Sequence, residues 1–146
     1  MRSTPCIGIC STTYGDLICR GCKRFAHEIV AWNGYSDDQR ERVWRRLYEL
    51  RDAATAVYVT VSDATALRHA ALQARVERSG TMSLLTIGYE LLRRRAADLV
   101  HLHEIGLHAL HAEPSAPVAV RDAIDAEFFV RSVAYFERSF HTTVDH

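Results

Sequence analysis

The chain has 146 residues, 48% hydrophobic and 25% charged, the size and balance of one globular domain or of a domain with a small module attached. Lys+Arg and Asp+Glu both number 18, and a net charge of zero argues against binding to a polyanion driven by bulk charge. Uncharged runs such as residues 53–62 and 79–89 fall short of the roughly 20 apolar residues of a membrane span, and the first residues lack the apolar stretch of a signal peptide; a cytoplasmic protein with no membrane association is expected.

Residues 5–22 are rich in Gly, Ser and Thr and read as irregular loop. Residues 23–32 follow as a short helix with Phe25, Ile29 and Trp32 on one face, stopped by Asn33-Gly34, where positive φ is tolerated. Ser36 with Gln39 three residues on is a capping-box signature, and Asp37 and Asp38 suit the positive end of a helix dipole. The helix so started spans about residues 37–56. It carries Val43, Leu47, Leu50 and Ala54 as an apolar stripe and Arg40, Glu41, Arg45, Glu49 and Arg51 on wetter faces.

Residues 57–62 change to a period of two and read as a strand. Asp63 is placed to cap a helix running to about Arg78 and ending at Ser79-Gly80. Ser83 opens another, from Leu84 to about Ile105, with Gly106 as its stop. Residues 107–111 read as a second short strand that would pair with the first. Residues 113–117 form a linker-like turn before a final helix over 118–140, with Ile124, Phe128 and Phe136 directed inward. The expected fold class is mainly α: an N-terminal tetra-Cys metal knuckle followed by a helical body with one short two-stranded β element. The expected division is residues 1–56, the tetra-Cys module with its following helices, and residues 57–146, a mostly helical domain with its own apolar periodicity.

All four cysteines lie between Cys6 and Cys22, with none in the rest of the chain. A disulfide framework staples distant parts of secreted chains, whereas bunched thiols in a reducing compartment point to metal. The spacing Cys6-x3-Cys10-x8-Cys19-x2-Cys22 makes two close pairs joined by a short loop. Such pairs can bring four sulfurs to one tetrahedral centre, each about 2.3 Å from the ion. Gly8 and Gly21 let the backbone curl so that amides face sulfur. Cys22 precedes a helix, and Arg20, Lys23 and Arg24 supply positive charge beside thiolates. Cys6, Cys10, Cys19 and Cys22 are therefore the expected metal ligands. Zn2+ suits a closed four-thiolate site and is the first choice; an iron–sulfur cluster shares the ligand chemistry and is the second.

Thr4-Pro5-Cys6-Ile7-Gly8-Ile9-Cys10, Cys19-Arg20-Gly21-Cys22-Lys23-Arg24, Glu28-Ile29, Trp32 and Ser36-Asp37 resemble the bacterial domain-of-unknown-function family twelve-eighty-nine. Its members are often labelled predicted iron–sulfur proteins. The resemblance covers about residues 4–51. It implies a small cysteine-ligated module with Cys6, Cys10, Cys19 and Cys22 as ligands, and it implies no reaction. Tyr35 stands where a Met commonly precedes the Ser-Asp pair, and Gly15 lies further from Cys19 than the usual loop glycine; neither is a ligand.

Other residues carry weaker signals. His101, Glu104 and His108 would share a face on a continuous helix, but Gly106 breaks it, and histidines near a helix C-terminus are favoured by the dipole alone. All but one of the 18 basic residues are arginine. Arg45-Arg46 and Arg93-Arg94-Arg95 could grip phosphate, yet Glu41, Glu49 and Asp98 lie at spacings that offset their charge. Nucleophile elbows, phosphate loops and paired catalytic carboxylates are lacking from the pattern. The expected function is thus a non-catalytic metal-binding protein serving as adaptor to a protein partner. The alternatives are an iron–sulfur electron-transfer protein and a zinc-dependent nucleic-acid binder, the latter disfavoured by the charge balance.

Overall fold

A computed structural model describes residues 4–8, 10–76 and 82–141 of the chain. Helices dominate these residues: α1 (Ala26–Ala31), α2 (Asp37–Tyr58), α3 (Ala64–Gln73), α4 (Leu84–Arg95) and α5 (Pro117–Phe136). Two short strands, β1 (Val59–Val61) and β2 (Leu107–Ala109), pair antiparallel with Thr60 opposite His108. The mainly α expectation and its single two-stranded element hold.

The helix starts follow the capping residues. Gln39 N–H donates to the Ser36 hydroxyl at 3.2 Å while the Gln39 side chain accepts from Ser36 N–H at 2.8 Å, the reciprocal box that starts α2. Asp63 accepts from Ala66 N–H, and Ser83 from Thr86 N–H, at the starts of α3 and α4.

The helix ends depart from expectation. α1 begins at Ala26 rather than residue 23, because Lys23 is left-handed (φ 68) and Phe25 is extended, bridging Ile18. A 3-10 turn over Trp32–Gly34 ends this segment without positive φ at Asn33 or Gly34. α3 stops at Gln73, well before residue 78. Arg75 takes φ 55, its N–H donates to Leu72 O, and Val76 N–H reaches Ala71 O, a Schellman closure built without glycine. The expected stop at Ser79-Gly80 lies outside the described residues. Residues 84–105 are not one helix: α4 ends at Arg95, a turn follows at Ala96–Asp98, and Leu102–Ile105 forms a separate 3-10 turn. The Glu104 carboxylate causes this break by accepting the N–H groups of Val100 and His101 at 2.8 and 2.7 Å. Those bonds lower the Glu104 pKa from the usual carboxylate value. Past Phe136 the last helix widens into a π-type turn, Glu137–His141.

The residues form two compact units. One joins the described residues up to Leu50 with those from Phe128 onward; the other is Arg51–Glu127. The first unit is discontinuous, unlike the expected division at residue 56, because the end of the chain supplies ring partners to Phe25. That ring is fully buried and meets Phe136 and Phe140 edge-on at 5.0 and 5.5 Å. Arg46 lies 4.0 Å over the same ring and forms a fork with Glu28, at 2.5 and 2.7 Å. Val43 and Leu47 of the expected stripe are buried in this unit, together with Trp44.

In the second unit Val59, Leu67, Ile87, Leu91, Leu107, Val120 and Ile124 form the core. The β1–β2 pair closes on Gly106, whose carbonyl accepts from Ser62 and Asp63 N–H. Arg51, expected on a wet face, points inward instead. It pairs with Glu90 at 3.2 Å and lies 4.6 Å over Tyr89. Glu90 also binds Arg93 at 2.9 Å and Arg94 at 3.4 Å, so a single buried carboxylate gathers three guanidinium groups. Burial pushes the Tyr89 phenol up to about 12, leaving it neutral.

Candidate metal centre

Cys19 and Cys22 sit in a hairpin-like turn. Cys19 N–H donates to Arg24 O, and Lys23 N–H returns to Cys19 O, each at 2.9 Å. One residue of such a turn must be left-handed, and it is Lys23 rather than Gly21. The ammonium of Lys23 offsets this cost by donating to the carbonyls of Arg20 (2.5 Å) and Gly21 (3.1 Å), while lying 5.3 Å from the Phe128 ring centre. The only lysine of the chain is therefore a clamp inside the turn, fully buried.

The surroundings of the sulfurs are rich in donors. Burial of Cys19 works against a thiolate, but N–H groups of Cys22, Ser11 and Gly21 point at its sulfur, and with a contact from the Cys22 side chain they lower its pKa. At Cys22 burial prevails and the thiol is pushed up. It is opposed by Arg24, whose backbone N–H and Nε–H both reach Sγ, the latter at 3.3 Å. Gly21 thus acts as expected, through its amide, although not through its φ.

The preceding segment is tied to this turn. Arg20 N–H donates to the Ser11 hydroxyl at 2.8 Å, and Ser11 N–H faces Cys19 sulfur. Cys10 lies against the hydroxyl of Thr12 at 3.1 Å; this contact and one from Thr13 lower its pKa. Gly8 is left-handed (φ 93), and its N–H reaches Cys6 Sγ at 3.4 Å, as its place between Cys6 and Cys10 suggested. None of the four cysteines is in a disulfide.

The structure brings Cys19 and Cys22 together and ties the Cys10 segment to them. It does not assemble four converging sulfurs: among the described residues no three Cys, His, Asp or Glu side chains share a metal-sized centre. The tetra-Cys knuckle of the expected fold is therefore present as a Cys19–Cys22 turn with donor-lined sulfurs rather than as a closed site. The donor chemistry does fit a soft metal, since each sulfur already lies in hydrogen-bond contact with N–H or O–H groups and a cationic fringe surrounds the buried pair.

The other sequence candidates resolve differently. His101 and His103 stack at 5.2 Å beside the Glu104 turn, while His108 is in β2 and the His111 ring contacts Val57 O at 2.8 Å. They do not form a shared site. Of the arginines, Arg46 is spent on Glu28, Arg93 and Arg94 on Glu90, and Arg95 lies 3.9 Å from Asp98. No described helix is long and apolar enough to cross a membrane. Trp32, expected on the apolar face of its segment, is in the core, but its contact with arginines was not legible from the sequence. It is buried, and its ring takes guanidinium groups from Arg24 at 4.9 Å and Arg40 at 5.5 Å.

Residues 4–51 match the model of a family described as Protein of unknown function (DUF1289), in line with the resemblance seen in the cysteine pattern. The match ends within α2 and covers every cysteine of the chain. Neither a curated protein nor a solved structure matches the chain.

Proposed function

We propose that Cys6, Cys10, Cys19 and Cys22, all within the segment that matches that family, bind one metal centre as a unit, and that the protein is a non-catalytic adaptor for a protein partner. The observation that carries this reading is the set of donors aimed at the Cys19 and Cys22 sulfurs. Three backbone N–H groups at the Cys19 sulfur favour its anionic form, the form that ligates metal, and two N–H groups of Arg24 oppose the burial that disfavours that form at Cys22. Zn2+ is the metal we assign, as a structural ion that would hold residues 6–22 in one shape. An iron–sulfur cluster with an electron-transfer role is the second reading, favoured by the same N–H groups, which also tune cluster potential.

Metal analysis of protein purified without air tests both. One zinc per chain and no visible absorption is the expected result, lost when Cys19 or Cys22 is replaced by Ser. Iron with visible absorption would select the cluster. Folded wild-type protein holding neither metal would overturn the proposal.

Sequence-independent nucleic-acid binding is not part of this reading. Such binding needs cations free to neutralise phosphates, whereas Arg46, Arg93 and Arg94 are committed to carboxylates. Titration of short single- and double-stranded DNA and RNA at about 0.15 M salt, where weak surface effects are screened, is expected to show no micromolar binding. Affinity that fell steeply with added salt would instead promote the nucleic-acid alternative.

A further inference from the structure

Arg24 is a buried guanidinium, 5% exposed, and among the described residues it forms no ion pair with a carboxylate. A charge taken out of water needs a counter-charge nearby, so this arrangement asks what the anion is. Arg46 and Arg51, inward-facing arginines of α2, answer that question with Glu28 and Glu90. For Arg24 the polar contact is a sulfur: its Nε–H donates to Cys22 Sγ at 3.3 Å, and its own backbone N–H faces the same atom.

The orientation of the guanidinium is secured from the other side. Its central carbon lies 4.9 Å from the Trp32 ring centre, and Trp32 is itself 6% exposed. The Trp32 carbonyl accepts from Arg40 Nε and Nη2 at 3.1 and 3.0 Å, which anchors the residue at the end of α1. The guanidinium carbon of Arg40 also lies 5.5 Å from the ring centre, so the indole faces two guanidinium groups. Two guanidinium groups on one indole make a surface that a third cation would avoid and an anion would approach.

We infer that Arg24, held against Trp32, is a positioning residue of the thiolate centre: it gives Cys22 Sγ two N–H donors and gives the anionic centre its buried counter-charge. This rests on the metal-binding reading above and adds to it a residue that is not a ligand. The guanidinium is suited to the role because it remains charged at any working pH and donates along a fixed direction. Hydrogen bonds from outside the ligand set orient the donor atom and draw electron density from it.

The test uses the full chain and cobalt(II) as the metal probe, with affinity measured against a competing chelator and the thiolate-to-cobalt charge-transfer band recorded for wild type, R24Q and R24K. R24Q is expected to weaken cobalt binding by about 10- to 100-fold. Its charge-transfer band should move to lower energy, because a sulfur that loses an N–H donor holds its lone pair less tightly. R24K retains the charge without the Nε donor, so it should recover part of the affinity and keep the shifted band. Wild-type affinity and band position in R24Q would overturn the inference. So would weaker binding with an unshifted band, the signature of a merely structural arginine. If R24Q loses its helical circular dichroism, R24K decides: an unshifted band there overturns the assignment. Wild-type protein that takes up no cobalt would overturn the metal reading itself, and the inference with it, a result distinct from the others.

Discussion

Replacing Glu90 by Gln is expected to destabilise the protein by about 3–5 kcal/mol, the range found when one partner of a buried ion pair is removed. Glu90 is 4% exposed and the single carboxylate onto which Arg51, Arg93 and Arg94 converge. Gln retains hydrogen-bonding capacity but cancels no charge, so three guanidinium groups would be left crowded around a neutral side chain. Burial alone would raise the pKa of this carboxyl, yet the arginines outweigh it and hold the acid below its usual value. The sign of the pH dependence follows. With the native pKa below the unfolded one, the contribution is fully present above the unfolded carboxyl pKa and is lost as pH falls through the native value. Urea unfolding of wild type and E90Q at pH 7 and at descending acid pH measures both effects. The gap between the two proteins should be widest at neutral pH and narrow in acid. A difference under about 1 kcal/mol at pH 7, the size of a surface ion pair, would show that the arginines do not depend on Glu90.

Gly106→Ala should cost roughly 2–5 kcal/mol, combining left-handed strain with overpacking. Gly106 has φ 78, and a Cβ there would come 2.3 Å from the backbone oxygen of Asp63 and 3.0 Å from Leu67 N. Those atoms cannot retreat cheaply. Asp63 O accepts from Leu67 N–H in the first turn of α3, and Asp63 N–H donates to Gly106 O. The same substitution at Gly15 (φ 98), where a Cβ meets nothing within 4 Å, carries the backbone strain alone and serves as the control. Equal losses at the two positions, read from denaturant midpoints, would show that the contact with Asp63 is not tight.

Local chemistry was legible in the sequence wherever one residue and its near neighbours decide the outcome. Ser36 and Gln39, Asp63 and Ser83 each start a helix as their side chains require. Gly106 stops the 3-10 turn before it in the left-handed region, and Gly8 turns its amide toward Cys6. The alternation in residues 57–62 indicated one short strand and residues 107–111 a partner for it, and Val59–Val61 pairs with Leu107–Ala109. Helix ends were less legible, because Arg75 and Lys23 adopt left-handed φ in places where composition suggests no turn residue. There the cost is offset by contacts already formed, the Schellman bonds for Arg75 and two carbonyl partners plus the Phe128 ring for Lys23.

The sequence by itself determined the mainly helical class, the helix starts, the strand pair and the clustering of the four thiols near one end of the chain. These depend on periodicity, capping and spacing, which act over a few residues and need no knowledge of the rest of the chain. The tertiary structure alone decided which charges are buried and what answers them. Arg46 and Arg51 read as residues of a wet helix face, yet they end against Glu28 and Glu90, 18 and 39 positions away. Only folding could likewise carry Phe136 and Phe140 back to the Phe25 ring, so that the end of the chain joins the cysteine unit. Arg24 shows the same division within the candidate site: its position beside Cys22 was visible as charge, whereas its stack on Trp32 and its bond to sulfur were not. A charged side chain chooses its partner by desolvation and geometry summed over everything around it, and that sum does not exist until the chain has folded.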